Sequence, residues 1–515
     1  MTNPPTPLIL TIDIGSSSTR VILFDAKGKP ISGCSAQLAN HMQTTQDGGA
    51  IFDMAAIERG VVESIDQVLQ KADSLANQIG GVAIATVATN MLGVDANGIP
   101  VTPVYTYADT RSRDVADMLR QQLGKVGQTH IHDRTGCLIH TSYQPAQLSW
   151  LAEAHPETFA KVAYWISIGE YLSWRFLGKR QVSYSVAAWT GLLNRRHLCW
   201  DQETLSLLPI NEEQLSPLVD LNCPLVGLTD GWATRWPALA QVPWFPAIGD
   251  GAAANVGSGC GALPEPNSPL AIALTIGTTG AMRVAVDATS LAELPMPDGL
   301  WLYRIDQQRG LLGGATTEGG NLYAWLRKSL SFPDGLSIEK ELQQRQPTQH
   351  GLTVLPFVAG ERAPGWQDDA RASLLGFTLH TQPIDILQAS LEGIAYRFAL
   401  IHKQILGAVS SKDRGKTKSI PSTIVASGGA ILSSPAWLQI MADTLYQPVT
   451  ALEEHEITAR GLAILALVEL GVISDPSDCP PRLGATYQPD PQRSQLHARA
   501  IKRQHDFYQR LIGMV

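Results

Sequence analysis

LILTIDIGSSSTRVILFD, Leu8 to Asp25, decides how the chain is read. An apolar run meets Asp13, gives way to a glycine, three serines and a threonine, and turns apolar again at Val21. LILTIDI and TRVILFDA read as two strands of a hairpin, with GKPIS opening a third. A turn alone requires only Gly, Asn or Asp. Glycine followed by hydroxyls aims several backbone N–H groups and side-chain hydroxyls at one spot, a nest suited to phosphate. Asp13 stands where a magnesium shell needs a carboxylate, since Mg²⁺ takes one or two carboxylates with waters and phosphate oxygens. Taken singly, the stretch fits an ordinary Ser-rich hairpin with a capping Asp equally well.

A second stretch, PLAIALTIGTTGAMRVAV from Pro269 to Val286, repeats the pattern. Each copy has a strand ending Leu-Thr-Ile or Thr-Ile-Asp-Ile, a glycine with small hydroxyl residues, and a strand containing Arg-Val. Two related domains are expected, each offering a hairpin turn to a shared cleft. Chance likeness of two hairpins is the alternative. Two prolines and a Gly-Asp-Gly in QVPWFPAIGDGAAANVG suggest the boundary, which divides the chain into 1–247 and 248–515. Between the hairpins, helical periodicity in MAAIERGVVESIDQVLQKADSLANQI alternates with the strand GVAIATVAT, and PAQLSWLAEAHPETFAKV is helical again. The fold class is α/β.

At 515 residues the chain exceeds one ordinary core. Hydrophobic residues at 44% and charged residues at 17% fit a globular protein. A net charge of −8 gives no basic footprint, so nucleic acid is not an expected partner. The most apolar stretch, GLAILALVELGVI, is too short to span a bilayer and contains Glu469; it reads as a core helix. No leader pattern opens the chain, and a cytoplasmic location without membrane association is expected. Six scattered cysteines with no C-x-x-C read as reduced thiols. HIH at His130 and His132 would put both on one side of a strand; a solvated pair is expected, not a metal site. GSGCGA, Gly257 to Ala262, follows a helical run and not a strand, so it reads as close helix packing and not as a dinucleotide fingerprint. SSKDRGKTKSIPS and SDPSDCPPRLGATYQPDPQ are expected as exposed loops, and RSQLHARAIKRQHDFYQRLIG as a terminal helix.

Taken together, the chain resembles the FGGY carbohydrate kinases, within the superfamily of actin and hexokinase. TIDIGSSSTRVILFD is similar to the first phosphate motif, AIGDGAAANVGSG to the catalytic-aspartate segment and LTIGTTGAMRV to the second phosphate motif. GGATTEGGNLYAWL and VASGGAILSSPAWLQIMADTLYQPV resemble the nucleotide-side motifs. YADTRS, SVAAWTGLLNRR and PFVAGERAPGW make gluconate kinases the most similar branch. Leu92 in NMLG departs from the histidine of pentulose kinases, and Gln147 stands where the family often has lysine before Trp150. The resemblance implies two ribonuclease-H-like domains, in the manner of actin-like ATPases, with an ATP and sugar cleft between them. It also implies ATP and Mg²⁺ as cofactors and a small sugar or sugar acid as substrate; a homodimer is left open.

Residue by residue, Asp250 is the expected catalytic base and Asp13 the metal ligand. A carboxylate can accept the proton that a sugar hydroxyl loses on attacking the γ-phosphoryl group. Gly15, Ser16, Ser17, Gly277, Thr278, Thr279 and Gly314 are expected at the phosphates, and Gly428, Gly429 and Ala430 at adenosine. Met91, Asp109 and Arg111, with Asp250, are expected at the substrate. Asp109 with Arg111 supplies acceptor and donor together, though a surface ion pair is common. Arg111 or Arg362 suits a carboxylate; Arg362 fits equally well as a partner of Glu361. Trp189 and Trp366 could face sugar carbons. The expected reaction is phosphorylation of gluconate to 6-phosphogluconate. The alternatives are a pentulose or polyol kinase, and a non-catalytic nucleotide sensor on the same fold.

Overall fold

The computed structural model describes residues 4–263, 268–288, 296–410 and 421–512. In the first half, β1 (Leu8–Ile14) and β2 (Ser18–Phe24) form the expected hairpin, with Asp13 opposite Arg20. β3 (Pro30–Ala39) continues antiparallel beyond β2, and β4 (Ile79–Thr86) lies parallel to β1 on its other flank. β5 (Ile248–Gly249) ends that edge, parallel to β4. In the second half, β6 (Leu270–Ile276) and β7 (Gly280–Asp287) form the second hairpin. β8 (Trp301–Arg304) flanks β9 (Arg309–Thr316), which pairs antiparallel with β7. β10 (Ser422–Ser427) lies parallel to β6, β11 (Val449–Leu452) parallel to β10, and β12 (Leu483–Tyr487) is the edge.

The orders β5-β4-β1-β2-β3 and β11-β10-β6-β7-β9 therefore match strand for strand, in direction as well as in place. The two Gly-hydroxyl turns occupy equivalent positions, so their likeness belongs to a repeated fold and not to two hairpins by chance. β1 is buried along its whole length, Thr11 and Asp13 included, as a central strand in a covered sheet must be. α1 (Met54–Ala72) is capped by Asp53, which accepts from the Ala55 N–H, and it covers β2 and β3 with Ile57, Val61, Ile65 and Val68.

Four expectations change. α2 (Arg113–Thr135) contains HIH, so these histidines are helical and point apart. His132 is buried, its Nε2 2.7 Å from the Leu300 carbonyl oxygen, and only His130 is solvated. Three residues are too few to separate a period of 2 from one of 3.6. The 247/248 division falls inside the first sheet, because Ile248–Gly249 pairs with β4. SDPSDCPPRLGATYQPDPQ is exposed but carries β12, so it is not all loop. SSKDRGKTKSIPS lies outside the described residues except at its ends. The six cysteines are free, as expected. Among the described residues, no helix is long and apolar enough to cross a membrane.

The halves are joined by two helices. α3 (Asp250–Gly257) starts at the end of β5, and α5 (Ile457–Glu469), which follows α4 (Gly320–Ser329) and β11, crosses back to pack on α3, β1 and β4. GLAILALVE is thus the core helix the sequence suggested, buried from Ala459 through Leu467. Its contact with α3 is backbone to backbone. A Cβ on Gly461 would lie 1.8 Å from the Ala253 carbonyl oxygen, and one on Gly257 would lie 1.8 Å from that of Ile457. This is the close packing expected of GSGCGA. Backbone cannot yield as a side-chain tip can, so Gly461→Ala should destabilise by more than the ~1–3 kcal/mol usual for overpacking. Thermal melting checks this; an unchanged Tm would mean that the helices part freely.

Candidate active site

Where the halves meet, a cavity of about 260 Å³ is lined from both sides. Ser16 of the first turn, Thr279 of the second and Asp250 all line it. The two turns and the expected base, far apart in sequence, therefore converge. Asp250 opens α3, and its Oδ1 accepts from the Gly251 N–H at 2.7 Å. Burial drives its carboxyl above the usual range, while Arg283 and the N–H groups of Gly251 and Ala88 oppose that rise. Asp13, 7% exposed, ends β1 nearby. Its carboxyl is pushed up to about 7, first by burial and then by the charge of Asp250, against the pull of Arg20. Arg20 in turn pairs with Glu456 at 3.0 Å, a contact between the first hairpin and the cap of α5.

Each turn is built to leave its tip free. The Gly15 N–H donates to the Ser18 carbonyl at 3.0 Å, and Asn40 Nδ2 donates to the Gly15 carbonyl at 2.8 Å. Ser17, Thr278 and Thr279 are exposed, and nothing stands within 4 Å of a Cβ built at Gly277. The start of α4 docks on the second turn: Gly320 N–H donates to the Gly277 carbonyl at 2.7 Å and Asn321 N–H to that of Thr278 at 3.0 Å. Gly428 is held at φ 98, where a Cβ would come 2.4 Å from the Ile276 carbonyl oxygen, so that position requires glycine. A Cβ on Gly320 would lie 2.7 Å from that of Ala430. Gly277–Thr279, Gly320–Asn321 and Gly428–Ala430 therefore lie together as one patch of mostly small, partly exposed residues. Gly314 is not part of it; it packs against Ala363, and its neighbour Ala315 lines the cavity.

Of the expected substrate residues Asp250 lines the cavity, and Met91, Asp109 and Arg111 do not. Asp109 is 2% exposed and is held by Arg111, whose Nε donates at 3.0 Å and Nη2 at 2.5 Å, and by the Ala50 N–H at 3.2 Å. Arg111 stacks over Trp150 at 4.8 Å. The two charges satisfy each other and clamp their loop to Gly48–Ala50. Met91 is fully buried in the first core. The same loop instead supplies Tyr107 to the cavity, beside Trp189, Tyr303 and Arg362. Gln147, the departure before Trp150, braces this region by donating to the Thr106 and Thr141 carbonyls at 3.1 and 3.0 Å. Trp366 lies in a second hollow behind the Arg362 loop, against His140 at 4.9 Å.

Two buried donors of the cavity wall, Arg362 Nε and Trp189 Nε1, have no hydrogen-bond partner. Arg362 makes no ion pair with Glu361, which is taken by Arg397 and by the Tyr508 hydroxyl. Its guanidinium lies 5.8 Å from the ring centres of both Tyr107 and Trp366. Sequence reasoning missed Tyr107, Tyr303 and Arg283. The only signal for Arg283 was its place after the second turn, on the same face as Thr279 and Ala281.

Comparison with known proteins shows the family. Residues 8–257 match the N-terminal domain, and residues 272–470 the C-terminal domain, of the FGGY family of carbohydrate kinases. The chain belongs to the FGGY family. Like other FGGY kinases it is an ATP-dependent phosphotransferase acting on a carbohydrate. The gluconokinase of Bacillus licheniformis is 27% identical over 498 residues, covering 95% of this chain and 92% of that one. A Bacillus subtilis (strain 168) gluconokinase is 26% identical over 504 residues, covering 94% and 92%. The structure of ligand-bound xylulose kinase from Lactobacillus acidophilus superposes with a TM-score of 0.86 at 25% identity, covering 98% of both chains. That of gluconate kinase from the same organism gives 0.86 at 24% identity, also over 98% of both. At that identity the second likeness speaks for the FGGY fold alone. The N-terminal match ends at 257, past Asp250, in agreement with β5 and α3 completing the first half.

Proposed function

We propose that this FGGY kinase phosphorylates a linear sugar acid, gluconate first, to 6-phosphogluconate. The observation that carries the reading is the half-buried Arg362, whose Nε is buried without a partner in the same cavity as Asp250. A substrate carboxylate would give that guanidinium the charge-assisted partner it lacks. Asp250 takes the proton of the attacking hydroxyl, and the aromatic wall of Tyr107, Trp189 and Tyr303 faces the carbon chain. The Gly-hydroxyl turns hold the phosphates of ATP from both sides, with adenosine along Gly428–Ala430. Closing of the halves around the substrates would keep water from competing with the sugar hydroxyl.

Asp13 fits Mg²⁺ by its chemistry: one buried carboxylate beside a phosphate nest, with no cluster of three or more His, Cys, Asp or Glu among the described residues. Bound there, Mg²⁺ would neutralise charge on the nucleotide phosphates. Asp13→Ala should flatten the dependence of activity on Mg²⁺ and lower kcat, leaving KM for the sugar within about threefold, as expected when a group outside the sugar contact is removed. A wild-type Mg²⁺ titration in the variant would remove the role. A cytoplasmic setting belongs to the same reading.

ADP release with gluconate, xylulose, ribulose and glycerol as acceptors tests the substrate. The xylulose kinase likeness makes a pentulose the second reading. Highest kcat/KM with gluconate supports the first; xylulose or ribulose ahead of gluconate rejects it and leaves the kinase intact.

A further inference from the structure

Arg283 has no part in the scheme above, yet it stands at its centre. It lies on β7 and lines the cavity in a row with Thr279 and Ala281. Ala281 is too short to fill that row, which leaves space between the turn and the guanidinium. The side chain is tied to the nucleotide half: Nη1 donates to Thr275 Oγ1 at 3.4 Å, and Thr275 Oγ1 is 3.0 Å from Ser427 Oγ, just before Gly428. At its other edge it reaches the first half. A Cβ built on Gly251 would lie 3.3 Å from Arg283 Nε and 3.6 Å from Cζ and Nη2. The guanidinium thus spans from the strand that leaves the second turn to the backbone beside the base.

It closes no ion pair there. Thr275 is its hydrogen-bond partner, and Asp250 is its chief electrostatic counterpart without contact. Burial pushes the Arg283 pKa down and that of Asp250 up, so neither charge is fully compensated. A half-buried cation with one long hydrogen bond and no ion pair is incompletely compensated, and an anion entering the cavity would lower that cost. Two anions are candidates, a substrate carboxylate and the phosphoryl group in transfer. The anchoring separates them. Arg362 approaches from the side of Tyr107 and Trp366, whereas Arg283 is fixed to the strands that carry the Gly277–Thr279 turn and lead to Gly428.

We propose that Arg283 is a catalytic residue that donates to the equatorial oxygens of the phosphoryl group as it passes from ATP to the acceptor. In that step the acceptor oxygen bonds to the γ-phosphorus and its proton goes to Asp250. The bond from the γ-phosphorus to the bridging oxygen breaks, and its electron pair leaves with ADP. Arg283 keeps its protons throughout and meets charge that spreads over the transferring group. Preorganised donors of this kind act where charge develops, and losing one costs about 10²–10³ in kcat.

The test uses the full chain and whichever acceptor the wild-type enzyme phosphorylates, so a failure of the gluconate reading leaves it intact. Arg283→Gln should lower kcat about 10²–10³-fold while KM for the acceptor and Kd for ADP stay within about threefold. Calorimetry supplies the readout that a structural role would not move. Wild type should bind ADP with aluminium fluoride and acceptor far more tightly than ADP with acceptor, because the fluoride complex mimics the phosphoryl group in flight. Arg283→Gln should lose that gain, and Arg283→Lys should recover part of it. If the Gln variant fails to bind ADP, the Lys variant is read by the same criteria. A raised KM with unchanged kcat would make Arg283 a substrate-binding group, and an undiminished gain from aluminium fluoride would remove it from the transition state. Either result overturns the proposal.

Discussion

Asp250→Asn should abolish most turnover and spare nucleotide binding: kcat is expected to fall about 10²–10⁴-fold, the usual worth of a positioned general base. The amide keeps the shape of the carboxylate and can still accept from the Gly251 N–H, so α3 should start as before. It cannot accept the acceptor's proton. In the proposed arrangement ADP lies along Gly277–Thr279 and Gly428–Ala430, which Asp250 does not touch, so its Kd should be unchanged. Burial also sets the pH behaviour. The carboxyl is raised above the ordinary value of about 3.9, so the base is lost to protonation earlier as pH falls. The acid limb of kcat/KM in wild type should therefore lie above that of an exposed aspartate and disappear in the variant. Near wild-type turnover from a folded Asp250→Asn enzyme would show that another group takes the proton.

The parts of this site that were legible in the sequence are those with local signatures. The hairpins announced themselves by apolar runs broken at Gly-hydroxyl turns, and α5 by its unbroken apolar stretch. Asp250 was found because a Gly-Asp-Gly precedes a small-residue helix in the family's order. What was hidden depends on which way a loop faces. YADTRS does reach the cavity, through Tyr107, but opposite charges two residues apart can close on each other. Asp109 and Arg111 did so, leaving the cavity to Tyr107. The boundary was misplaced because a two-residue strand, Ile248–Gly249, has no periodicity to read. Arg283 shares a strand face with Thr279, and the sequence shows that much. That this face meets Gly251 from the other half is a tertiary fact.

Arg362→Gln should discriminate between acids and neutral sugars more sharply than any other change outside the catalytic step. In the wild type the guanidinium waits in the cavity with Nε unpartnered and with Glu361 already committed to Arg397 and Tyr508. A carboxylate placed against it gains hydrogen bonds to a charged group, worth about 1.5–3 kcal/mol, or roughly 10- to 150-fold in KM. A neutral polyol gains only ordinary hydrogen bonds, which glutamine largely replaces. The ratio of kcat/KM for gluconate to that for a neutral acceptor should fall by that factor. Arg111→Gln is the control. Arg111 is spent on Asp109 and Trp150, so its loss should loosen the loop and penalise acids and neutral sugars alike. If the ratio falls for Arg111 and not for Arg362, the carboxylate sits on the other side of Tyr107 from where the cavity has room for it. If it falls for neither, the acceptor is recognised by hydroxyls alone, and a pentulose becomes the better reading of the same catalytic centre.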